Sequence, residues 1–288
     1  MRWNRGHKSR HVEDRRGQRA RMPGGAKGVG GLIGVAVIIV GLFFGQDLTA
    51  MLGSSGGGSP GTSTPTGEPP DPATDPEREQ FEFVSFVFDD VQNIWDAKFR
   101  AAGQPYQFST MVVYRQGTES GCGYGTAAIG PFYCPADQRV YLDLSFFDTM
   151  RQRLGAPGDF AQAYVIAHEI GHHLQTITGV SARVDQQQAA APARKNELSV
   201  RQELQADCYA GVWAHDTSKK NTLEHGDLEE GLKAAWAIGD DTLQKRGGGQ
   251  ISPETWTHGS SEQRVRWFKR GYDSGQMAAC DTFSGATP

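Results

Sequence analysis

The stretch Tyr164-Val165-Ile166-Ala167-His168-Glu169-Ile170-Gly171-His172-His173-Leu174 constrains the chain more than any other. With Ala163 it is apolar on nearly every face of a helix, which predicts a buried central helix over residues 159–177. His168 and His172 lie four residues apart, so at about 100° per residue they share one face. Two neutral imidazoles there can reach one metal ion at about 2.0 to 2.1 Å. Glu169 projects beside that face. It is too offset to be the obvious ligand, yet it can reach a water on the metal, where a general base must sit. Gly171 leaves room for another backbone to approach. The plainer reading is two ordinary core histidines and a buried carboxylate, which would each cost several kcal/mol in desolvation without partners.

The five-residue pattern also occurs in unrelated helices, so a third ligand decides its meaning. The longer motif that takes its third histidine from the same segment is absent, because Gln175 and Thr178 stand where its glycine and histidine would be. The acidic candidates are Glu197 and Glu203, both in a predicted helix over 197–215 that follows an Ala/Gln-rich loop. Glu203 is favoured. Asp207 follows it by four residues on the same face, where it can accept the second ring proton of a ligating histidine. Four residues after Glu197 stands Arg201, a cation that would oppose a bound metal. A solvated helix face is the alternative for the Glu203 and Asp207 pair, and the apolar neighbours Leu204, Ala206 and Tyr209 speak against it.

One zinc ion per chain on His168, His172 and Glu203 would keep a fourth position for water, lower its pKa toward about 7 and polarise a carbonyl. Glu169 would take the water's proton and pass it to a leaving amine. The expected function is peptide-bond hydrolysis on a peptide or protein substrate. Two alternatives stand beside it: a tethered binding or scaffold protein with a structural zinc, and a hydrolase of a non-peptide amide. An intact Glu169 argues against the first.

A net charge of -4 and a pI near 6.1 leave no domain-wide basic footprint, so nucleic acid is not an expected partner. The one basic cluster spans residues 2–27 and stands directly before an uncharged run over 28–45, from which a helix can continue through Gln46 to Leu52. That order predicts a basic cytoplasmic tail over 1–27 and a single transmembrane helix over 28–52. Residues 53–76, rich in Gly, Ser, Thr and Pro, read as a flexible linker, and 77–288 as one catalytic domain outside the cytoplasm. A cleaved signal peptide is the competing reading, with a poor cleavage site near Ala50.

Within 77–288 the pattern predicts an α+β, mainly helical domain with a small sheet. Phe81, Val84, Phe88, Val91, Ile94, Trp95 and Phe99 mark an amphipathic first helix. Residues 111–114 and 140–144 read as strands around a Gly-rich stretch over 121–135, and the strand at Arg139 to Leu144 could pair with an extended substrate. Helices follow at about 146–154, 227–238 and 261–272. Cys122, Cys134, Cys208 and Cys280 all fall in the exported part, which favours two disulfides, Cys122 with Cys134 and Cys208 with Cys280. His173 is turned about 100° from His172, which suits packing behind the site or partial exposure. His215 and His225 read as surface residues.

His168-Glu-x-x-His172 followed by Glu203-x-x-x-Asp207 resembles a gluzincin arrangement. Together with Met1-Arg-Trp-Asn, Val12-Glu-Asp-Arg-Arg-Gly17 and Thr257-His-Gly-Ser-Ser261, nearly the whole chain resembles the bacterial "putative neutral zinc metallopeptidase" family. The resemblance implies a membrane-anchored zinc peptidase with a zincin-like domain. Thr257-His258-Gly259-Ser260 with Arg264 is also similar to an element of the membrane prenyl-protease and heat-shock protease clan, which implies that His258 and Arg264 help hold a transition-state oxyanion. Gly259 replaces that clan's proline, so a structural role stands beside it: Arg264 is placed with Asp207 behind the metal ligands, and Ser260 or Ser261 can cap a helix.

Overall fold

The computed structural model describes residues 1–18, 67–126 and 129–285. The chain opens with strand β1 (Val12–Asp14) and, beyond residue 66, helix α1 (Arg78–Ala101). Strands β2 (Thr110–Tyr114), β3 (Gly117–Ser120), β4 (Gly123–Thr126), β5 (Phe132–Cys134) and β6 (Arg139–Asp143) follow. Helices then take over: α2 (Ser145–Gln152), α3 (Asp159–Ile177), α4 (Val180–Ala190), α5 (Lys195–Lys219), α6 (Asp227–Ala237), α7 (Asp240–Arg246) and α8 (Ser261–Ser274). The domain is α+β and mainly helical, as its periodicity predicts.

One sheet has the order β1-β2-β6-β5, with β1, β2 and β6 parallel and β5 antiparallel to β6. Strands β3 and β4 form a separate antiparallel ribbon. Strand β6 is hydrogen-bonded on both sides, so it cannot accept a substrate strand, and the reading that gave 139–144 that role is corrected. The sheet edge beside the metal helix is β5. It lies inside the Gly-rich stretch, where short alternation masks a strand signal.

Helix α3 is the axis of the domain. From Phe160 to Gln175 all but Gln162 are buried, and α1, α5, α6 and β5 pack around it. Two close approaches set the helix spacing. A Cβ on Gly171 of α3 would lie 2.9 Å from the Ala206 Cα, so only glycine lets α5 come this near. Likewise a Cβ on Gly211 would lie 2.0 Å from the Phe268 carbonyl oxygen, and one on Gly271 1.9 Å from that of Cys208. These facing glycines seat α8 directly on α5. Both expected disulfides are present, Cys122–Cys134 stapling the ribbon to β5 and Cys208–Cys280 tying the C-terminal segment to α5. The Ala/Gln-rich stretch expected as a loop is helix α4, held by buried Val180 and Val184 against Leu198.

The basic tail expected over 1–27 is not a free tail where it is described. Met1 joins the main core, Trp3 packs edge-on against Phe83 at 5.6 Å, and β1 pairs with β2. Residues 67–76, expected to be linker, also belong to the domain, through Asp75 on Arg16. The reason is electrostatic as well as apolar, since the arginines that suggested a membrane-flanking tail meet carboxylates of the domain. The anchor expected over 28–52 lies outside the described residues, and among the described residues no helix is long and apolar enough to cross a membrane.

Candidate metal centre

The predicted ligands converge. His168 Nε2 stands 3.2 Å from Glu203 Oε2, and His172 Nε2 stands 3.5 Å from Glu203 Oε1. Tetrahedral ligands on zinc at about 2.0 to 2.1 Å lie about 3.3 Å apart, so these separations fit one ion held by three side chains. All three are buried, and each offers an atom within 4.8 Å of the other two. Helix α3 supplies the imidazoles on one face. Helix α5 brings Glu203 opposite them because Gly171 admits its backbone.

The outer ring nitrogens are tied away from the centre. Asp207 Oδ1 accepts the His168 Nδ1–H at 2.8 Å, and Gln175 Oε1 accepts the His172 Nδ1–H at 3.0 Å. The Gln175 amide orientation is fixed, since its nitrogen donates to the Gln202 carbonyl at 2.7 Å and to Gln205 Oε1 at 3.2 Å. Both Nε2 lone pairs therefore face the carboxylate, which is what a metal requires and a pair of core histidines does not. The charge balance agrees. Burial opposes a charged His168, but Asp207 and Glu203 outweigh it and push its pKa up to about 10. Burial likewise opposes a charged Glu203, yet His172 and His168 hold it well below the usual carboxylate range. The centre calls for positive charge, and a divalent cation supplies it without protons.

Glu169 is buried beside the ligands. Its Oε2 has no hydrogen-bond partner among the described residues, and desolvation pushes its pKa up, as suits a proton acceptor. The Tyr133 backbone N–H on β5 bonds to the same carboxylate. His173 points to the opposite side, where its Nε2–H donates to the Gln107 carbonyl at 2.6 Å and its Nδ1 accepts from the Tyr133 hydroxyl at 3.2 Å. It is wholly buried, not partly exposed, and it locks β5 to α3. His215, expected at the surface, is partly buried with its Nδ1 2.6 Å from the Tyr272 carbonyl, away from the centre.

Arg264 and His258 separate. The Arg264 guanidinium donates through Nε to Asp207 Oδ2 at 2.8 Å and through Nη2 to Asp207 Oδ1 at 2.9 Å. It is fully buried and neutralises the carboxylate behind His168, which is the supporting place beside Asp207 rather than one on an oxyanion. His258 is held by Asp240, whose Oδ2 accepts the backbone N–H groups of Thr257, His258 and Gly259 at 2.8, 2.7 and 3.0 Å. Asp240 Oδ1 faces the His258 Nδ1 at 3.2 Å, and Nε2 is buried without a partner among the described residues. Burial opposes ionisation of Asp240, but the His258 side chain and these backbone donors outweigh it and hold it low. Gly259 has φ of 89°, which proline cannot adopt. The turn is thus built differently from the Thr-His-Pro-Ser element. Ser260 does cap α8, in a reciprocal box with Gln263.

Sequence reasoning missed Tyr164, Gln175 and Asp240. Tyr164 lies one turn before His168 and donates its hydroxyl to Asp207 Oδ1 at 2.5 Å. Gln175 lies three residues after His172, within helical reach, so spacing alone could have proposed both. Asp240 comes from a different element, and nothing local marks it.

A cleft of about 550 Å³ opens onto His172 and Glu203. One wall is apolar, from Tyr124, Ile129, Phe132 and the Cys122 half-cystine, and the other is polar, from Ser181, Asp185 and Gln188 on α4. The described family "Putative neutral zinc metallopeptidase" matches residues 1–283. The chain belongs to this family. Among its relatives, "Uncharacterized protein YpfJ" of Escherichia coli (strain K12) is 47% identical over 98% of this chain and 99% of its own length. "Uncharacterized protein Rv2575" of Mycobacterium tuberculosis (strain ATCC 25618 / H37Rv) is 42% identical over 67% of this chain and 69% of its own. No solved structure matches the chain.

Proposed function

We propose that this protein is a zinc-dependent peptidase with a gluzincin-type centre: His168, His172 and Glu203 hold the metal and Glu169 is the general base. The observation that carries the reading is the convergence of two Nε2 atoms and a carboxylate beside a buried Glu169 oxygen that lacks a partner among the described residues. When bound, zinc supplies Lewis acidity toward a carbonyl and acidifies water. Glu169 accepts a proton from the attacking water and returns it to the leaving nitrogen, and its desolvation raises its basicity for the first step. Asp207, backed by Tyr164 and Arg264, keeps the His168 ring in register while charge moves. His258, with Thr257 and Asp240 at its Nδ1 and an Nε2 that has no partner among the described residues, is the side chain offered to a developing oxyanion. An extended peptide adds to the outer edge of β5, where Phe132 and Tyr133 line the cleft, and its side chains near the scissile bond meet the apolar wall. The two disulfides support a place outside the cytoplasm, and the uncharged run over 28–45 supports attachment to the membrane.

The test pairs metal analysis with a peptide-library digest of the full-length protein. About one zinc per chain and cleavage beside apolar residues are expected, both retained in the wild type, while Glu169→Gln keeps the metal and loses turnover by at least about 100-fold. Stoichiometric zinc in a wild-type protein that cleaves nothing would favour the scaffold reading.

A further inference from the structure

We propose that the amino-terminal segment and the peptidase domain lie on the same side of the membrane. That placement does not fit the single crossing between them that the charge pattern suggests. The inference rests on contacts among residues 1–18 and 67–77, and it is independent of whether the centre cleaves peptides.

Strand β1 is an integral edge of the main sheet, since Val12, Glu13 and Asp14 pair in register with Met111, Val112 and Val113. Arg16 is 6% exposed. Its Nη2 lies 2.7 Å from Asp14 Oδ2 and 2.8 Å from Asp75 Oδ2, and its Nη1 lies 3.3 Å from Glu77 Oε2. The partners of this one buried cation thus come from both sides of residues 19–66. The two ends also meet directly, because the Gly67 N–H donates to the Gly17 carbonyl at 3.1 Å. A bilayer core is about 30 Å thick, so points joined by one hydrogen bond cannot stand on its opposite faces.

The charges that predicted an internal amino terminus have another use. Arg2 faces Glu224 at 3.5 Å, Arg5 faces Glu79 at 2.7 Å and Arg15 faces Glu13 at 2.6 Å. Arg15 also reaches the Thr118 hydroxyl at 3.5 Å on β3. The positive-inside rule counts loop cations that remain at the inner face of the membrane. Arg2, Arg5, Arg15 and Arg16 instead complement carboxylates within the folded unit, and the buried Arg16 is the one whose displacement costs most.

All four native cysteines are paired, so a single added thiol is a clean reporter. Lys8 and Asn4 on the amino-terminal segment and Ala102 on the domain are exposed. Full-length Lys8→Cys, Asn4→Cys and Ala102→Cys variants, each in its native membrane, are treated with a membrane-impermeant maleimide before and after lysis. Equal labelling at the three positions is expected, and without lysis if the disulfides report the compartment. Labelling of all three only after lysis also supports a shared side and locates it in the cytoplasm. Labelling of Ala102→Cys in intact cells, with Lys8→Cys and Asn4→Cys reacting only after lysis, would overturn the proposal.

Discussion

Asp207→Ala tests how the metal centre and the fold share one residue. The Asp207 carboxylate and the Arg264 guanidinium are both 0% exposed and pair at 2.8 Å. Removing the acid leaves a buried guanidinium with only long contacts among the described residues, to the Ile238 carbonyl and the Tyr164 hydroxyl at 3.3 Å and to His168 Nδ1 at 3.4 Å. Breaking a buried pair in this way costs about 3 to 5 kcal/mol. For a domain of this size that lowers the melting temperature by roughly 6 to 20 °C. Zinc affinity should fall as well, by on the order of 10- to 100-fold, because His168 loses the acceptor that fixes its ring. The two effects separate in the double variant Asp207→Ala/Arg264→Met. Stability should largely recover there, because no charge remains buried, while affinity stays low. Urea unfolding of the metal-free protein and competitive zinc titration measure both. A single variant within about 1 kcal/mol of wild type, or a double variant that regains affinity, would refute the shared role.

Glu203→Ala should abolish stable zinc binding, whereas Glu197→Ala should leave it intact, because Arg194 and Arg201 hold Glu197 with its pKa lowered to about 2. Zinc analysis after dialysis checks this, and the opposite pattern would remove the ligand assignment. Loss of Cys208–Cys280, which closes a separation of 72, should cost about 4 kcal/mol and loss of Cys122–Cys134, with 12, about 3, by the chain-entropy estimate. Non-reducing peptide mapping should find both bridges, and denaturation of each double-serine variant should give that order. A fragment beginning at residue 77 should be less stable than the full chain, since it lacks β1 and the buried Arg16 with Asp14 and Asp75. Equal unfolding midpoints would show that the amino-terminal strand adds nothing to the domain.

The candidate metal centre was legible in the sequence because its spacing is local. Positions four apart on one helix place His168 and His172 together whatever the rest of the chain does, and the same spacing sets Asp207 behind Glu203. Cys122 and Cys134 are near in sequence, so their bridge closes only a short loop. What only the tertiary structure decided is how separate elements meet. A parallel ladder can join residues of any separation, so three residues near the start of the chain became the edge of a sheet built after residue 110. Arg264 reaches Asp207 as its counterion because the facing Gly211 and Gly271 let α8 lie on α5. Asp240, at the start of α7, reaches His258 in the turn before α8, a contact with no local trace. A charge in sequence has a sign but no partner until folding supplies one. The same arginines that read as a membrane-flanking cluster are, in three dimensions, the counterions of Asp14, Asp75, Glu79 and Glu224.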